Sequence, residues 1–125
     1  MNNHYQERRS FPRYATKSGT MALNQTIFGP VIDISMNGML FEYYGGDITD
    51  NEIMQVGLYY LDADFLLKNI KAKTVWDRTV LQAHSILPNI RKQRAVEFLT
   101  LNASQRDMLK KFIATHTIDN LTKTE

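Results

Sequence analysis

Arg9-Ser-Phe-Pro-Arg13, with Arg8 directly before it, is the first group of residues in this sequence that could hold a ligand. Pro12 has no amide hydrogen and disfavours the helical conformation at Phe11, so the segment reads as extended or looped. Residues four apart in an extended chain face the same side, roughly 13 Å apart at ~3.3 Å per residue. Each guanidinium is a planar fork that can grip a phosphate, or the O6/N7 edge of a guanine, with two hydrogen bonds. The plainer reading is a solvated basic arm, since basic termini are common. A second group is Asp33-Ile-Ser35-Met-Asn37-Gly38. Asn-Gly between two β-like runs is a strong hairpin signal, and Asp and Ser are ordinary turn formers. The same geometry also offers chemistry. Asp33 and Ser35 alternate onto one face, the carboxylate can accept from the N–H groups on a guanine's pairing edge, and Gly38 permits close approach.

With ordinary residue usage the two patterns should occur together in this order only about one time in a hundred. Their combined chemistry suits one target, a guanine nucleotide with anionic phosphates. The elements that must position them are short. β-like runs cover Thr20 to Phe28, Val31 to Ile34 after a Gly29-Pro30 turn, Met39 to Tyr44, Ile53 to Leu61, Leu66 to Trp76, Val80 to Ile86 and Arg94 to Leu99. Strands at this spacing predict a small antiparallel barrel or sandwich. From Ala103 to His116 the period changes, with Met108, Leu109, Phe112 and Ile113 on one helical face. Asn102 and Gln105 have the spacing of a capping box at its start.

The chain has 125 residues, 43% of them apolar and 22% charged, no cysteine and a net charge of +2. That describes one ordinary globular domain without a disulfide framework, a thiolate metal site or a cysteine nucleophile. No apolar run reaches the ~20 residues of a membrane span, and none near the start has the form of a signal peptide, so a cytoplasmic location and no membrane insertion are expected. The charge is uneven. Residues 1–17 carry Arg8, Arg9, Arg13 and Lys17 against Glu7 alone. His4, His84 and His116 are too scattered for a metal or nucleophile arrangement. Asp62 and Asp64 read as a polar turn rather than an acid-base pair. Trp76 and the paired tyrosines read as core or cross-strand packing rather than base-stacking residues.

Arg9-x-x-x-Arg13, a strand, then Asp33-x-Ser35-x-x-Gly38 resembles the PilZ domain, a bacterial receptor module for cyclic di-GMP. The resemblance runs from about Glu7 to Ile113 and includes the late strand Ala95-Val96-Glu97-Phe98 and the helix after Leu101. It implies a mainly β fold, a six-stranded antiparallel β-barrel with a C-terminal α-helix. It divides the chain into a flexible basic arm at 1–17, barrel and helix at 18–116, and a polar tail at 117–125. It also implies that Arg9 and Arg13 bind guanine edges and phosphates, that Asp33, Ser35 and Gly38 complete the pocket, and that Arg8 favours a stacked pair of ligands over one. Ala95 departs from the glycine common at its position, and its methyl group would face the ligand. The implied role is a non-enzymatic adaptor with no cofactor and no metal, in which the ligand pins the arm to the barrel and changes binding of a downstream protein. Two other readings remain: a domain of this fold that binds proteins and no nucleotide, and a barrel for single-stranded nucleic acid, which the small net charge disfavours.

Overall fold

Alternating apolar and polar residues turn one side of each strand toward a common interior, and the strand pairing then closes on itself. The computed structural model describes residues 11–24, 27–44, 53–80 and 91–118. Its strands are β1 (Tyr14–Thr16), β2 (Thr20–Leu23), β3 (Phe28–Ser35), β4 (Gly38–Tyr44), β5 (Ile53–Tyr60), β6 (Phe65–Thr79), β7 (Arg91–Thr100) and β8 (Thr117–Ile118), with the helix α1 (Ala103–His116) between the last two. Pairing runs β2-β5-β6-β7-β4-β3, and β3 pairs again with β2, so these six strands form a closed antiparallel barrel. Arg8, Arg9, His4, His84 and all but the first residue of the strand expected at Val80 to Ile86 lie outside the described residues.

The strand expectations need two changes. Gly29 and Pro30 are not a turn but part of β3, opposite Ala22 and Met21. The reason is steric: a β-carbon on Gly29 would overlap the backbone carbonyl of Glu42, so only glycine lets β3 lie this close to β4. The hairpin itself closes between Asn24 and Ile27, where the Asn24 amide donates to the Ile27 carbonyl at 2.8 Å. The second change concerns the ends of the chain. Tyr14–Thr16 and Thr117–Ile118, which the sequence reading leaves to arm and tail, are strands that pair with each other, and β1 also pairs with β3.

Ile34, Ile70, Ala72 and Leu109 are completely buried. The helix stands over one end of the barrel, inserting Leu109 and Phe112, while Met108 and Ile113 pack at the margin. The Phe112 ring meets Phe65 at 5.1 Å and Tyr60 edge-on at 6.1 Å. His116 stacks 4.9 Å from Tyr60 and so has a packing role. Its first turn has the anticipated capping box. The Gln105 amide donates to the Asn102 side chain at 2.7 Å and the Asn102 amide to Gln105 Oε1 at 3.0 Å. Gln105 Nε2 then reaches the carbonyls of Lys68 and Asn69, which fastens the helix to β6.

The opposite end of the barrel is sealed by charge. Arg94 has no exposed surface, and its Nε donates to Asp77 Oδ2 at 2.8 Å while Nη1 donates to Thr74 Oγ1 at 2.9 Å. Lys92 Nζ lies 3.0 Å from Asp77 Oδ1, and the Tyr43 hydroxyl also donates to Asp77. Burial alone would push the Asp77 carboxyl up, but hydrogen bonds from Tyr43, Lys92 and Arg94 hold it below the usual carboxylate range. Removing the carboxylate would leave a guanidinium buried without its counter-charge. Asp77→Ala should therefore destabilise the protein by about 3–5 kcal/mol in urea unfolding. Because the folded state lowers this pKa, the wild-type advantage over the variant should be complete at neutral pH and fade as pH falls below the ordinary carboxylate range.

Candidate functional site

The site grows out of an irregularity in β3. Val31 lies opposite Phe41 and Asp33 opposite Leu40, so Ile32 is an extra residue, a β-bulge. Before the bulge β3 pairs with β2, and after it with β1, where Tyr14 faces Ile34 and Ala15 faces Asp33. The residue preceding β1 is Arg13. Its charge acts on the Asp33 carboxyl: burial pushes that carboxyl up, and the Arg13 guanidinium partly offsets the rise. The two sequence patterns thus meet across the β1–β3 pair, at Arg13 and Asp33.

Ser35 and Gly38 are near these residues in the chain but have local work to do. Ser35 is buried; its hydroxyl donates to Asn37 Oδ1 at 2.6 Å and accepts from the Asn37 amide at 3.2 Å, locking the β3–β4 turn. The Asn37 carbonyl accepts from the Phe98 amide at 2.8 Å, which ties the turn to β7. A β-carbon on Gly38 would overlap the Val96 carbonyl, so the glycine is required by contact between β4 and β7. Hydroxyl and glycine hold the corner in shape; the carboxylate and guanidinium remain as the groups that offer charge.

Residues missed as a set by the sequence reading extend this corner into a face. Asp33 pairs with Leu40, Leu40 with Ala95, and Ala95 with Trp76, so the four stand in one row across β3, β4, β7 and β6. All four are half-buried. At ~4.8 Å per strand the row spans about 14 Å. Ala95 is its low point, between the larger Leu40 and Trp76. The Arg78 guanidinium lies 4.7 Å over the Trp76 ring and also donates to Gln93 Oε1 at 2.9 Å, while Gln93 Nε2 donates to Glu42. A signal for Trp76 existed in the sequence, an aromatic residue between Val75 and Asp77, but its outward direction depends on a register shift between Thr74 and Trp76. The face can therefore offer a carboxylate, guanidinium groups, a shallow apolar floor and an indole.

A separate groove of about 460 Å³ lies between Pro12, Tyr14, Met36 and the helix residues Lys110, Ile113 and Ala114. Tyr14 faces it while its neighbour Ala15 is opposite Asp33. β1 is thus a wall with the candidate face on one side and an apolar groove on the other. Among the described residues, no group of three His, Cys, Asp or Glu side chains could hold a metal, and no helix is long and apolar enough to cross a membrane.

Three comparisons with known proteins bear on this geometry. The family model described as PilZ domain matches residues 7–115. No curated protein matches the chain. Among solved structures the chain is similar to a MrkH–c-di-GMP complex from K. pneumonia, with TM-score 0.69, 11% identity and 86% of this chain covered. A second MrkH structure, titled a novel c-di-GMP dependence transcription regulatory factor, gives 0.67 at 13% identity over 86% of this chain. The chain spans about half of each MrkH chain, 51% and 50%. The PilZ domain of YcgR from Escherichia coli with c-di-GMP gives 0.65 at 12% identity, covering 87% of this chain and 91% of that one. At such identities the likeness is one of fold.

The raised pKa of Asp33 has a measurable consequence. Its ionised form is disfavoured by the fold, so the charge costs stability at neutral pH and the cost disappears as pH falls through the raised pKa. Asp33→Asn should melt at a higher temperature than wild type at pH 7 in thermal denaturation, with the gap closing as the buffer is acidified. A variant that melts lower at neutral pH would show that the carboxylate is stabilising instead.

Proposed function

The chain belongs to the PilZ domain family, and from that premise we propose that it is a non-enzymatic receptor for cyclic di-GMP, clasped between the N-terminal arginines and the Asp33 corner. The observation that carries this reading is the meeting of Arg13 and Asp33 across the β1–β3 pair. A guanine offers the carboxylate the donors on its pairing edge, and its O6/N7 edge or a ligand phosphate accepts from the guanidinium. The half-buried row from Asp33 through Leu40 and Ala95 to Trp76 gives the ligand's flat rings a floor. Two solved structures of similar fold carry c-di-GMP in their titles, which supports the choice of ligand.

Arg8, Arg9 and Arg13 act together in this proposal, Arg13 from just before β1, and Arg8 selects the stacked pair. Binding fixes the arm against the barrel and alters the surface shown to a downstream protein, in a cytoplasmic signalling role without cofactor, metal or nucleic acid. One observation favours the alternative, a PilZ domain that binds protein and not nucleotide. Ser35 and Gly38 have complete structural roles, so their presence does not by itself require a ligand.

Isothermal calorimetry with cyclic di-GMP, beside cyclic di-AMP and a short oligonucleotide, separates these readings. Heat with cyclic di-GMP alone is expected, at two ligands per chain, and Arg13→Ala should weaken binding by roughly ten- to a hundredfold, about 1.5–3 kcal/mol. No heat with any of the three would overturn the receptor reading and favour the protein-binding one. Ala95→Leu should fill the low point of the row and weaken cyclic di-GMP by about tenfold or more, with melting temperature little changed because the side chain points outward. Undiminished affinity in that variant would take the row out of the site.

A further inference from the structure

On the wall of the barrel opposite the candidate face, β3, β2, β5 and β6 turn apolar residues outward. The row Pro30–Met21–Tyr59–Leu66 is in register across all four strands. Leu23 lies in the next row, opposite Phe28 on one side and Gly57 on the other. Gly57 contributes no side chain, so the sheet is lowest at the middle of this patch. Phe28 is 63% exposed, Leu66 43%, Ile53 at one end of β5 59%, and Leu61 just past its other end 62%. Water-facing apolar rows that run in register across four strands form a continuous patch of the kind that marks a contact surface.

The charges around the patch say what covers it. At one end, in the single helical turn Leu61–Ala63 and just after it, stand the exposed acids Asp62 and Asp64. Along β6 toward the other end stand the exposed Lys68, Lys71 and Lys73. Among the described residues none of these five makes an ion pair. A surface with acids at one end, bases at the other and an apolar middle is complementary to itself when a two-fold axis crosses the strands, because each end then meets its opposite. An anionic membrane would attract the lysines but press Asp62 and Asp64 against its headgroups.

We propose that this chain forms a two-fold symmetric homodimer through the outer face of β3, β2, β5 and β6, with Asp62 and Asp64 of each copy against Lys71 and Lys73 of the other. Four strands at ~4.8 Å and eight residues at ~3.3 Å give a footprint of roughly 500 Å² per copy. That lies at the low end for specific interfaces, so the dimer is reversible, with Kd on the order of 10–100 µM. In a six-stranded ring β5 is opposite β4, which leaves the middle of the Asp33 row, Leu40 on β4 and Ala95 on β7, open in both copies. The dimer does not depend on the ligand.

Sedimentation velocity on the ligand-free full chain tests it, from a few micromolar to about 500 µM. Wild type should pass from monomer to dimer. Asp62→Lys/Asp64→Lys and Lys71→Glu/Lys73→Glu should each raise Kd by roughly tenfold or more, and an equimolar mixture of the two should recover the wild-type Kd as a mixed dimer. Circular dichroism and thermal melting of each variant check folding, above all for Asp64→Lys, because Asp64 holds a left-handed conformation at φ 52°; Asp62→Lys alone, which avoids that position, should also raise Kd. A monomer at every concentration overturns the proposal, as does a dimer that neither reversal weakens. A dimer that both reversals weaken but their mixture fails to restore would also overturn the pairing of acids with lysines.

Discussion

The bulge at Ile32 is the constraint on which the site depends. β3 carries β4 along one edge, where the extra residue lies, and two short strands end to end along the other. With one residue too many, its first half closes the barrel against β2 and its second half receives β1. Closure of the barrel and the pairing of Asp33 with β1 are thus served by the same eight residues. The extra residue also resets which side chains look outward, so that Asp33 joins Leu40, Ala95 and Trp76 while Ile34 enters the core with no exposed surface. Bulges commonly re-aim a side chain beside a binding site. Here the strand that is re-aimed supplies both the acidic group and the neighbour that brings Arg13 to it.

The parts legible in the sequence were those whose cause is local. Asn102 and Gln105 satisfy one another's amides within one turn, so their spacing alone located the start of α1. Met108, Leu109, Phe112 and Ile113 share a helical face, and that face is the one packed on the barrel. The β3–β4 hairpin announced itself through Asn37-Gly38. Gly29-Pro30 misled because its usual meaning is a turn, whereas its meaning here lies across the sheet at the Glu42 carbonyl, thirteen residues away. β1 and β8 were invisible for another reason. Strands of three and two residues are too short to show a period, and they exist because β3 supplies a partner for β1 and β1 one for β8.

Arg94 shows how a site can be half legible. It is in phase with Val96 and Phe98, both inward, but the sequence reading took it only as the start of a strand. What the sequence lacked was the counter-charge: Asp77 reaches it only through the β6–β7 register, which shifts twice along the ladder. Likewise Arg13 and Asp33 could be recognised as a matched pair by chemistry. Their proximity required knowing that β1 exists and where β3 bulges.

Two half-buried aspartates separate structure from function. Both lose water on folding, and loss of water alone pushes either carboxyl upward. At Asp77 the protein answers with hydrogen bonds from Tyr43, Lys92 and Arg94, which outweigh burial and leave the carboxyl below its ordinary range. At Asp33 the answer from Arg13 is smaller than the burial, and the carboxyl stays above it. A carboxylate whose charge the fold has fully matched is a structural member, since nothing further improves its environment. A carboxylate left under-compensated gains from any donor that arrives, and gains most from donors held in a flat, rigid ring that can lie along the Leu40–Ala95–Trp76 floor. The unequal treatment of one residue type within one barrel therefore separates Asp77, which the fold answers in full, from Asp33, the acid that the proposed cyclic di-GMP site would use.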